Sequence, residues 1–388
     1  MKYRFLISIL ILNVLLTSCN GNKTNQPVIS ADELQKNNIL PSDNAKEFSL
    51  KDFYTYDSRL AYKTDSIFNT MTDSERVAQM IIASIGELGH DLNKAKLLVE
   101  NKKVGGFVIL KGTKEDHKSA IETLNATAKK HNSFGLLFSA DAEPSLFNSR
   151  IVGSQPVKNT VDLTSISEVD AVAKTISDEL RYLGVHQNYA PVLDVSENNS
   201  AITNRSFGAN PKDVINKSNA FVERTQNENI VATVKHFPGH GLVTGDSHFN
   251  TVFIDGDLLE LDNYKPIIDN GVISVMVAHI SIKNNPKYNT FNVPASCSKK
   301  IVTGLLKNEL NFKGLIVSDG MKMNGLQNIP KATLEASKAG CDIILIPKNE
   351  DDTAQLILNE MKTNAAYKAQ VYESVMKIIR LKTCLGIE

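Results

Sequence analysis

The chain has 388 residues, and its 43 Lys plus Arg balance 43 Asp plus Glu, so the formal net charge is zero. A nucleic-acid-binding protein normally shows a basic excess or a basic face, and this balance argues against that class. Hydrophobic residues make up 42% and charged residues 22%, which excludes an intrinsically disordered chain. We therefore predict a globular protein with one large α/β domain or two smaller ones, and no nucleic-acid partner.

Residues 1–18 have the pattern of a bacterial lipoprotein signal peptide. Lys2 and Arg4 precede an apolar run at 5–16, which is shorter than the roughly 20 residues of a membrane-spanning helix. Residues 16–19 (LTSC) resemble the cleavage box of lipoproteins, so we expect Cys19 to carry a lipid at the mature N-terminus. The alternative is a plain secreted protein or an uncleaved anchor. The prediction places the protein in the cell envelope of a bacterium, lipid-anchored at the periplasmic face or the cell surface.

The segment at 19–51 is polar over most of its length, with many Asn, Lys, Ser and Asp residues. Such a composition does not bury enough apolar surface to order itself. We predict a tether at 19–51 and a folded domain at 52–388.

Eight short apolar runs recur through the rest of the chain, with amphipathic stretches of helical length such as 169–183 and 298–310 between them. Most runs are continuous and β-branched, as in strands that are covered on both faces. Thr72 and Glu75 form a capping-box pattern, so a helix should precede the strand in the first run. The runs lie at 77–85, 105–110, 135–139, 185–192, 230–234, 272–277, 314–317 and 341–346.

Eight such units over about 300 residues predict a (β/α)₈ barrel, with a doubly wound open sheet as the alternative. The polar residues at the ends of the runs favour the barrel, because barrel enzymes build their sites at the carboxyl ends of the strands. Five titratable residues lie at or just past those ends, namely Asp141, Asp194, His236, His279 and Asp319.

Three segments carry candidate functional groups: 234–248, 315–320 and 204–208. Taken singly, each has an ordinary explanation. His236 could be a satisfied core histidine, Asp319 could cap a helix, and Arg205 could form a surface ion pair. Three histidines in 236–248 also suggest a metal site. That interpretation is weaker, because a zinc site needs closely spaced ligands and 85–90 lacks a His-x-His pair.

Taken together, the same residues suit a retaining glycosidase, which needs a nucleophilic carboxylate and a group that first protonates the leaving oxygen and then activates water. Asp319 can be the nucleophile. Asp246 lies two residues from His248, and a carboxylate beside an imidazole orients the ring and raises its basicity. Charge-assisted hydrogen bonds from Lys235, Arg205 and Asp141 can hold sugar hydroxyls.

From about 71 to 347 the chain resembles glycoside hydrolase family 3, specifically the single-barrel bacterial β-N-acetylglucosaminidases. The resemblance rests on 71–80 (MTDSERVAQM), 189–195 (YAPVLDV), 205–208 (RSFG), 235–241 (KHFPGHG) and 246–248 (DSH). It implies that Asp319 is the nucleophile and that His248, supported by Asp246, is the acid/base. It further implies that the terminal sugar is bound by Asp141, Arg205, Lys235 and His236.

The resemblance also implies a single barrel domain without cofactor or metal. The expected substrate is a terminal β-linked N-acetylglucosamine, as in peptidoglycan fragments or chitin oligosaccharides, and we expect a monomer. A phosphorylase or another β-glycosidase on the same scaffold, and a catalytically weakened sugar-binding lipoprotein, are the alternatives.

One loop departs from the family pattern. Where the family has Asp-Gln-Glu-Gly-Gly-Arg, residues 141–146 read DAEPSL, which lacks both glycines and the arginine. Pro144 fixes its own φ and disfavours helical geometry at Glu143, so this loop must run differently. The chain also has no Trp, which leaves Phe and Tyr to stack on a sugar.

Overall fold

The computed structural model describes residues 48–196, 202–243 and 252–387. Its centre is a ring of eight parallel strands. In chain order these are β1 (Ile81–Ile85), β2 (Gly106–Ile109), β3 (Leu137–Ala140), β4 (Gln187–Asn188), β5 (Val231–Phe237), β6 (Ser274–Val277), β7 (Leu315–Ser318) and β8 (Ile344–Leu345).

Each strand pairs in parallel with the next along the chain, and β8 returns to pair with β1, where Ile81 lies opposite Ile344. A parallel bridge between Val317 and Ile343 joins β7 to the segment that leads into β8. The sheet is therefore closed, and the predicted barrel is confirmed over the open sheet. All eight apolar runs contain a barrel strand.

Helices surround this barrel. They are α1 (Ser58–Thr70), α2 (Asp73–Gln79), α3 (Leu92–Glu100), α4 (Lys114–Lys130), α5 (Pro144–Arg150), α6 (Ile166–Leu183), α7 (Pro211–Asn227), α8 (Tyr264–Asp269), α9 (Ala332–Ala339), α10 (Glu350–Thr363) and α11 (Ala365–Cys384), with a π-helix at Lys300–Glu309. Short 3₁₀ turns occupy Leu50–Asp52, Thr160–Asp162, Thr203–Arg205, Leu261–Asn263, Ala295–Cys297 and Asn324–Leu326. Two small parallel pairs join Val252–Asp255 to Ile280–Lys283 and Gly112–Thr113 to Ile151–Val152.

The capping box predicted before β1 is present. The Thr72 side chain accepts the backbone N–H of Glu75 at 3.2 Å, and the Glu75 carboxylate accepts that of Thr72 at 2.9 Å. Helix α2 ends at Gln79 and β1 begins at Ile81, so the first apolar run divides as expected between a helix and a strand.

Both faces of the barrel strands are buried. Along β1, Ile81 and Ala83 pack into one apolar cluster while Ile82 packs into another, because successive side chains of a strand point to opposite faces. Each fully buried aliphatic side chain contributes about 1.5–3 kcal/mol, and this two-sided burial explains why the strands are continuously apolar.

Three features bear on the N-terminal predictions and on the cysteines. The predicted signal peptide, Cys19 and nearly all of the tether lie outside the described residues. In the part of the chain that the structure describes, no helix combines the length and the apolar character needed to cross a membrane. Cys297, Cys341 and Cys384 are buried free thiols.

Candidate active site

Four of the predicted site residues meet at the carboxyl end of the barrel. Asp141 directly follows β3 and Asp319 directly follows β7, while Lys235 and His236 are among the last residues of β5. Parallel strands end together at one rim of a barrel, so strand geometry alone brings these residues to the same face.

A buried ion network lies at this face. The Arg205 guanidinium donates two hydrogen bonds to Glu143, Nε to Oε2 at 2.8 Å and Nη2 to Oε1 at 2.7 Å. The Lys235 ammonium lies 2.5 Å from Glu143 Oε1 and 2.5 Å from Asp141 Oδ1. The side chains of Glu143 and Lys235 are almost completely buried, whereas Asp141 is about one-fifth exposed. Asp141 is therefore the member of the network that a ligand can reach most readily.

The electrostatics of the network keep its buried members charged. Burial alone would raise the pKa of Glu143, but the charges of Arg205 and Lys235 outweigh it and hold that pKa well below its ordinary value. Burial would likewise lower the pKa of Lys235, yet the carboxylates of Asp141 and Glu143 keep it above its ordinary value. The site is thus built from paired charges, which is how buried charges persist in proteins.

Asp194 organises the two described histidines. Its Oδ2 lies 2.7 Å from His236 Nδ1, and its Oδ1 accepts the backbone N–H of His240 at 2.8 Å. Burial acts to raise the pKa of Asp194, but the two imidazoles and these hydrogen bonds hold it below its ordinary value. His236 is therefore an oriented histidine at the site and not an isolated core residue.

Glu260 fastens the segment that leads toward residues 244–251. Its carboxylate accepts three backbone N–H groups, from Val195 at 2.6 Å, Gly241 at 2.9 Å and Leu242 at 3.2 Å. Burial and the charge of Asp194 raise the pKa of Glu260 to about 8. Gly241 is required here, because a Cβ at that position would lie 1.7 Å from the carbonyl oxygen of Val195.

Asp319 is half-buried, and its Oδ1 accepts the backbone N–H of Gly320 at 2.7 Å. The interpretation of Asp319 as a helix cap is wrong, since the next helical turn is the 3₁₀ turn Asn324–Leu326, whose N-cap is Met323. Burial and His236 lower the pKa of His240, and the negative charges of Asp194 and Asp319 partly oppose this. Asp319 is therefore electrostatically linked to the histidine cluster.

His279, the fifth strand-end residue, serves the backbone beside the nucleophile candidate. Its Nδ1 lies 2.7 Å from Ser296 Oγ, and its Nε2 lies 3.1 Å from the carbonyl oxygen of Gly320. With both ring nitrogens engaged, His279 supports the turn that follows Asp319.

The loop that departs from the family pattern folds into helix α5, with Pro144 in its first turn and Glu143 as its N-cap residue. Pro suits that position, since the missing N–H would have no helical partner there. The last residue of the helix, Arg150, places its Nη2 3.9 Å from Asp141 Oδ2. Sequence reasoning missed both Glu143 and Arg150 as site residues. The acidic residue two positions after Asp141 was the available signal for Glu143.

The interpretation of Arg205 as a surface ion pair is also wrong, because its guanidinium is mostly buried against Glu143. Asp246 and His248 lie outside the described residues, so their predicted roles stay predictions. In the described ranges, no group of three or more His, Cys, Asp or Glu side chains is arranged to hold a metal ion.

Comparison with known proteins decides the family. The model of the glycosyl hydrolase family 3 N-terminal domain matches residues 72–381. The chain belongs to glycosyl hydrolase family 3. The barrel, the strand-end carboxylates and the buried network are thus the features of a family 3 domain.

Relatives in this family point to one sugar class. The β-N-acetylglucosaminidase/β-glucosidase of Cellulomonas fimi is 30% identical over 316 residues, covering 75% of this chain and 54% of that protein. A β-hexosaminidase of Glaesserella parasuis is 27% identical over 302 residues, covering 74% and 87%. The family 3 β-N-acetylglucosaminidase structure from a Paenibacillus species superposes with a TM-score of 0.75 at 26% identity, covering 81% and 63%. This chain therefore spans about half the length of the Cellulomonas relative.

Proposed function

We propose that the protein is a retaining, exo-acting β-N-acetylglucosaminidase that removes terminal β-linked N-acetylglucosamine from peptidoglycan fragments or chitin oligosaccharides. The observation that carries the proposal is the carboxyl end of the barrel, where half-buried Asp319 shares one face with the Asp141–Lys235–Glu143–Arg205 network. The relatives named above supply the sugar class.

In the first step, a carboxylate oxygen of Asp319 attacks the anomeric carbon and the glycosidic C–O bond breaks. His248, oriented by Asp246, gives its proton to the leaving oxygen. The products are the released aglycone and a covalent glycosyl ester on Asp319. A water molecule then attacks the same carbon, His248 takes its proton, and the Asp319 carboxylate leaves, so the anomeric configuration is retained.

The buried network binds the terminal sugar in this proposal. Asp141 is its most exposed member and accepts hydrogen bonds from sugar hydroxyls, while Lys235, His236 and Arg205 surround the same site. Because Glu143 already fixes the two cations, they lose little conformational freedom on binding, and a preorganised site spends less free energy on ordering.

The N-terminal sequence extends the proposal to location. The lipoprotein box ending at Cys19 supports an enzyme held in the bacterial cell envelope by a lipid, joined to the barrel through the polar segment at 19–51. Growth with labelled fatty acid followed by mass spectrometry of the N-terminal peptide tests this part, with Cys19→Ser as the unlabelled control.

The activity is tested with nitrophenyl β-N-acetylglucosaminide and nitrophenyl β-glucoside side by side, using the full chain in a detergent that has no sugar headgroup. We expect preference for the acetylated sugar and loss of that activity in Asp319→Ala. Asp319→Asn is the matched variant, since it keeps the shape but removes the nucleophilic charge.

Three outcomes would contradict the proposal. Equal or greater turnover of the glucoside would overturn the sugar class. Release of sugar 1-phosphate that requires added phosphate would identify a phosphorylase. Binding of N-acetylglucosamine without turnover, unchanged in Asp319→Ala, would identify a sugar-binding protein.

A further inference from the structure

The carboxylate of Asp141 is only half used by the protein. Its Oδ1 is held by the ammonium of Lys235. Among the described residues, Oδ2 accepts no hydrogen bond, and its nearest cationic neighbour is Arg150 Nη2 at 3.9 Å. One oxygen of a partly exposed carboxylate is therefore left to accept a hydrogen bond from something else.

Arg150 is likewise only partly used. Within the described ranges, its guanidinium makes this one contact and no hydrogen bond, and its side chain is 29% exposed. A guanidinium has five N–H donors. By contrast, Arg205, at the same rim, donates two hydrogen bonds to a buried carboxylate. Arg150 thus has donors to offer at a rim where Arg205 is committed to the protein.

The main chain holds Arg150 in place. Its carbonyl oxygen lies 3.4 Å from His117 Nε2, and the next two residues, Ile151–Val152, pair with Gly112–Thr113. The guanidinium therefore hangs from a fixed backbone position at the end of α5, one helix length from Asp141.

The 3.9 Å separation of Nη2 and Oδ2 is too long for a direct hydrogen bond but fits one hydroxyl group between them. A hydroxyl can donate one hydrogen bond and accept others at once, so it can donate to Asp141 Oδ2 while accepting from Arg150. Both bonds would be charge-assisted, and these are the stronger hydrogen bonds in proteins.

We propose that Arg150 is a further substrate-binding residue, which together with Asp141 grips a single hydroxyl of the terminal sugar. This inference rests on the proposed function, because it supplies a hydroxyl-rich ligand. It names which two groups read that hydroxyl, and it gives helix α5 a role in the site that the family pattern of this loop does not provide.

The test is calorimetric binding of N-acetylglucosamine and its 3-deoxy, 4-deoxy and 6-deoxy analogues to the full chain in detergent. We expect Arg150→Ala to weaken binding of N-acetylglucosamine by about tenfold or more, and Arg150→Lys by less, since one ammonium can still donate. One deoxy analogue should bind the wild type correspondingly weakly, yet lose little more when Arg150 is also removed. Arg181→Ala, on the exposed face of α6, is the matched control and should bind like the wild type.

The analogue series separates binding from folding. A purely structural loss in Arg150→Ala would weaken all four sugars by the same factor, and that result would overturn the inference. Unchanged binding of N-acetylglucosamine by Arg150→Ala would overturn it as well. Wild-type protein that neither binds this sugar nor hydrolyses its nitrophenyl glycoside would overturn the proposed function and the inference with it. Binding by the wild type with no effect of Arg150→Ala would overturn the inference alone.

Discussion

Two buried lysines at opposite ends of the barrel solve the same problem differently. At the carboxyl end, Lys235 contacts the carboxylates of Asp141 and Glu143. At the amino end, the Lys382 ammonium donates to Gln79 Oε1 at 2.7 Å and to the carbonyl oxygens of Gly105 and Gly135 at 2.7 and 2.6 Å. The first lysine has charged partners and the second has neutral ones.

The partners set the charge of each lysine. Carboxylates keep the pKa of Lys235 above its ordinary value despite burial, whereas burial lowers the pKa of Lys382 to about 7. The amino end thus tolerates a lysine that can lose its charge near neutral pH, while the carboxyl end holds permanent charges in place. A site that must bind a polar ligand benefits from the second arrangement.

The largest expected effect comes from breaking the network at the carboxyl end. Glu143→Ala would leave Arg205 and Lys235 buried with one carboxylate fewer, and breaking a buried pair costs about 3–5 kcal/mol. We expect the free energy of unfolding in urea to fall by about that amount.

Glu309→Ala is the matched control, because Glu309 forms an exposed ion pair with Lys287 and such pairs contribute about 0–1 kcal/mol. Equal losses for the two variants would show that the network contributes no more than a surface pair does.

The second effect is a pH dependence at the amino end. Because the folded-state pKa of Lys382 lies below the unfolded value of about 10.4, the folded protein binds fewer protons than the unfolded one between those values, and stability rises with pH. Relative to Lys382→Met, the wild type should gain about 2 kcal/mol in unfolding free energy from pH 7 to pH 9.

Lys235→Met sharpens this comparison. The pKa of Lys235 is raised in the folded state, so its contribution is fully present below the unfolded pKa and changes little between pH 7 and pH 9. A difference curve that rises for Lys235 as steeply as for Lys382 would contradict the contrast between the two ends.

The third effect is kinetic. Glu260→Gln places an amide N–H₂ among three backbone N–H donors, which should shift the segment at Gly241 and Leu242, a few residues before His248. We expect kcat on the nitrophenyl N-acetylglucosaminide to fall about tenfold, since misplacing an acid/base group slows proton transfer, with little change in KM. A change in KM alone would show that Glu260 affects sugar binding instead.

The smallest effect is at the amino end, away from the site. Thr72→Ala removes the N-cap of α2 and should lower the unfolding free energy by about 1 kcal/mol. Both kcat and KM should stay at wild-type values at temperatures where the variant is folded. Altered kinetics would show that the two ends of the barrel are coupled.

The barrel could be predicted because continuous apolar runs and strand-end polar residues are local features of the sequence. The positions of Asp141, His236 and Asp319 followed directly, since each lies at the end of such a run. Glu143 and Arg150 could not be predicted in the same way. Their roles depend on Pro144 starting helix α5, which turns an apparent loop into an element that delivers an arginine to Asp141.

The roles of Arg205 and Glu260 depend on pairing between distant segments. Arg205 meets a carboxylate 62 positions earlier in the chain, and Glu260 accepts a backbone N–H 65 positions earlier. No local pattern encodes such pairs, so the sequence left Arg205 open as a surface residue and was silent about Glu260.

The most direct test of the proposed mechanism is to trap the covalent intermediate. The protein is incubated with 5-fluoro-N-acetylglucosaminyl fluoride, whose electronegative substituent slows the second step, and digested for peptide mass spectrometry. The account predicts one added sugar on the peptide that contains Asp319, and none in Asp319→Ala. An adduct on any other carboxylate, or full turnover by Asp319→Ala, would contradict it.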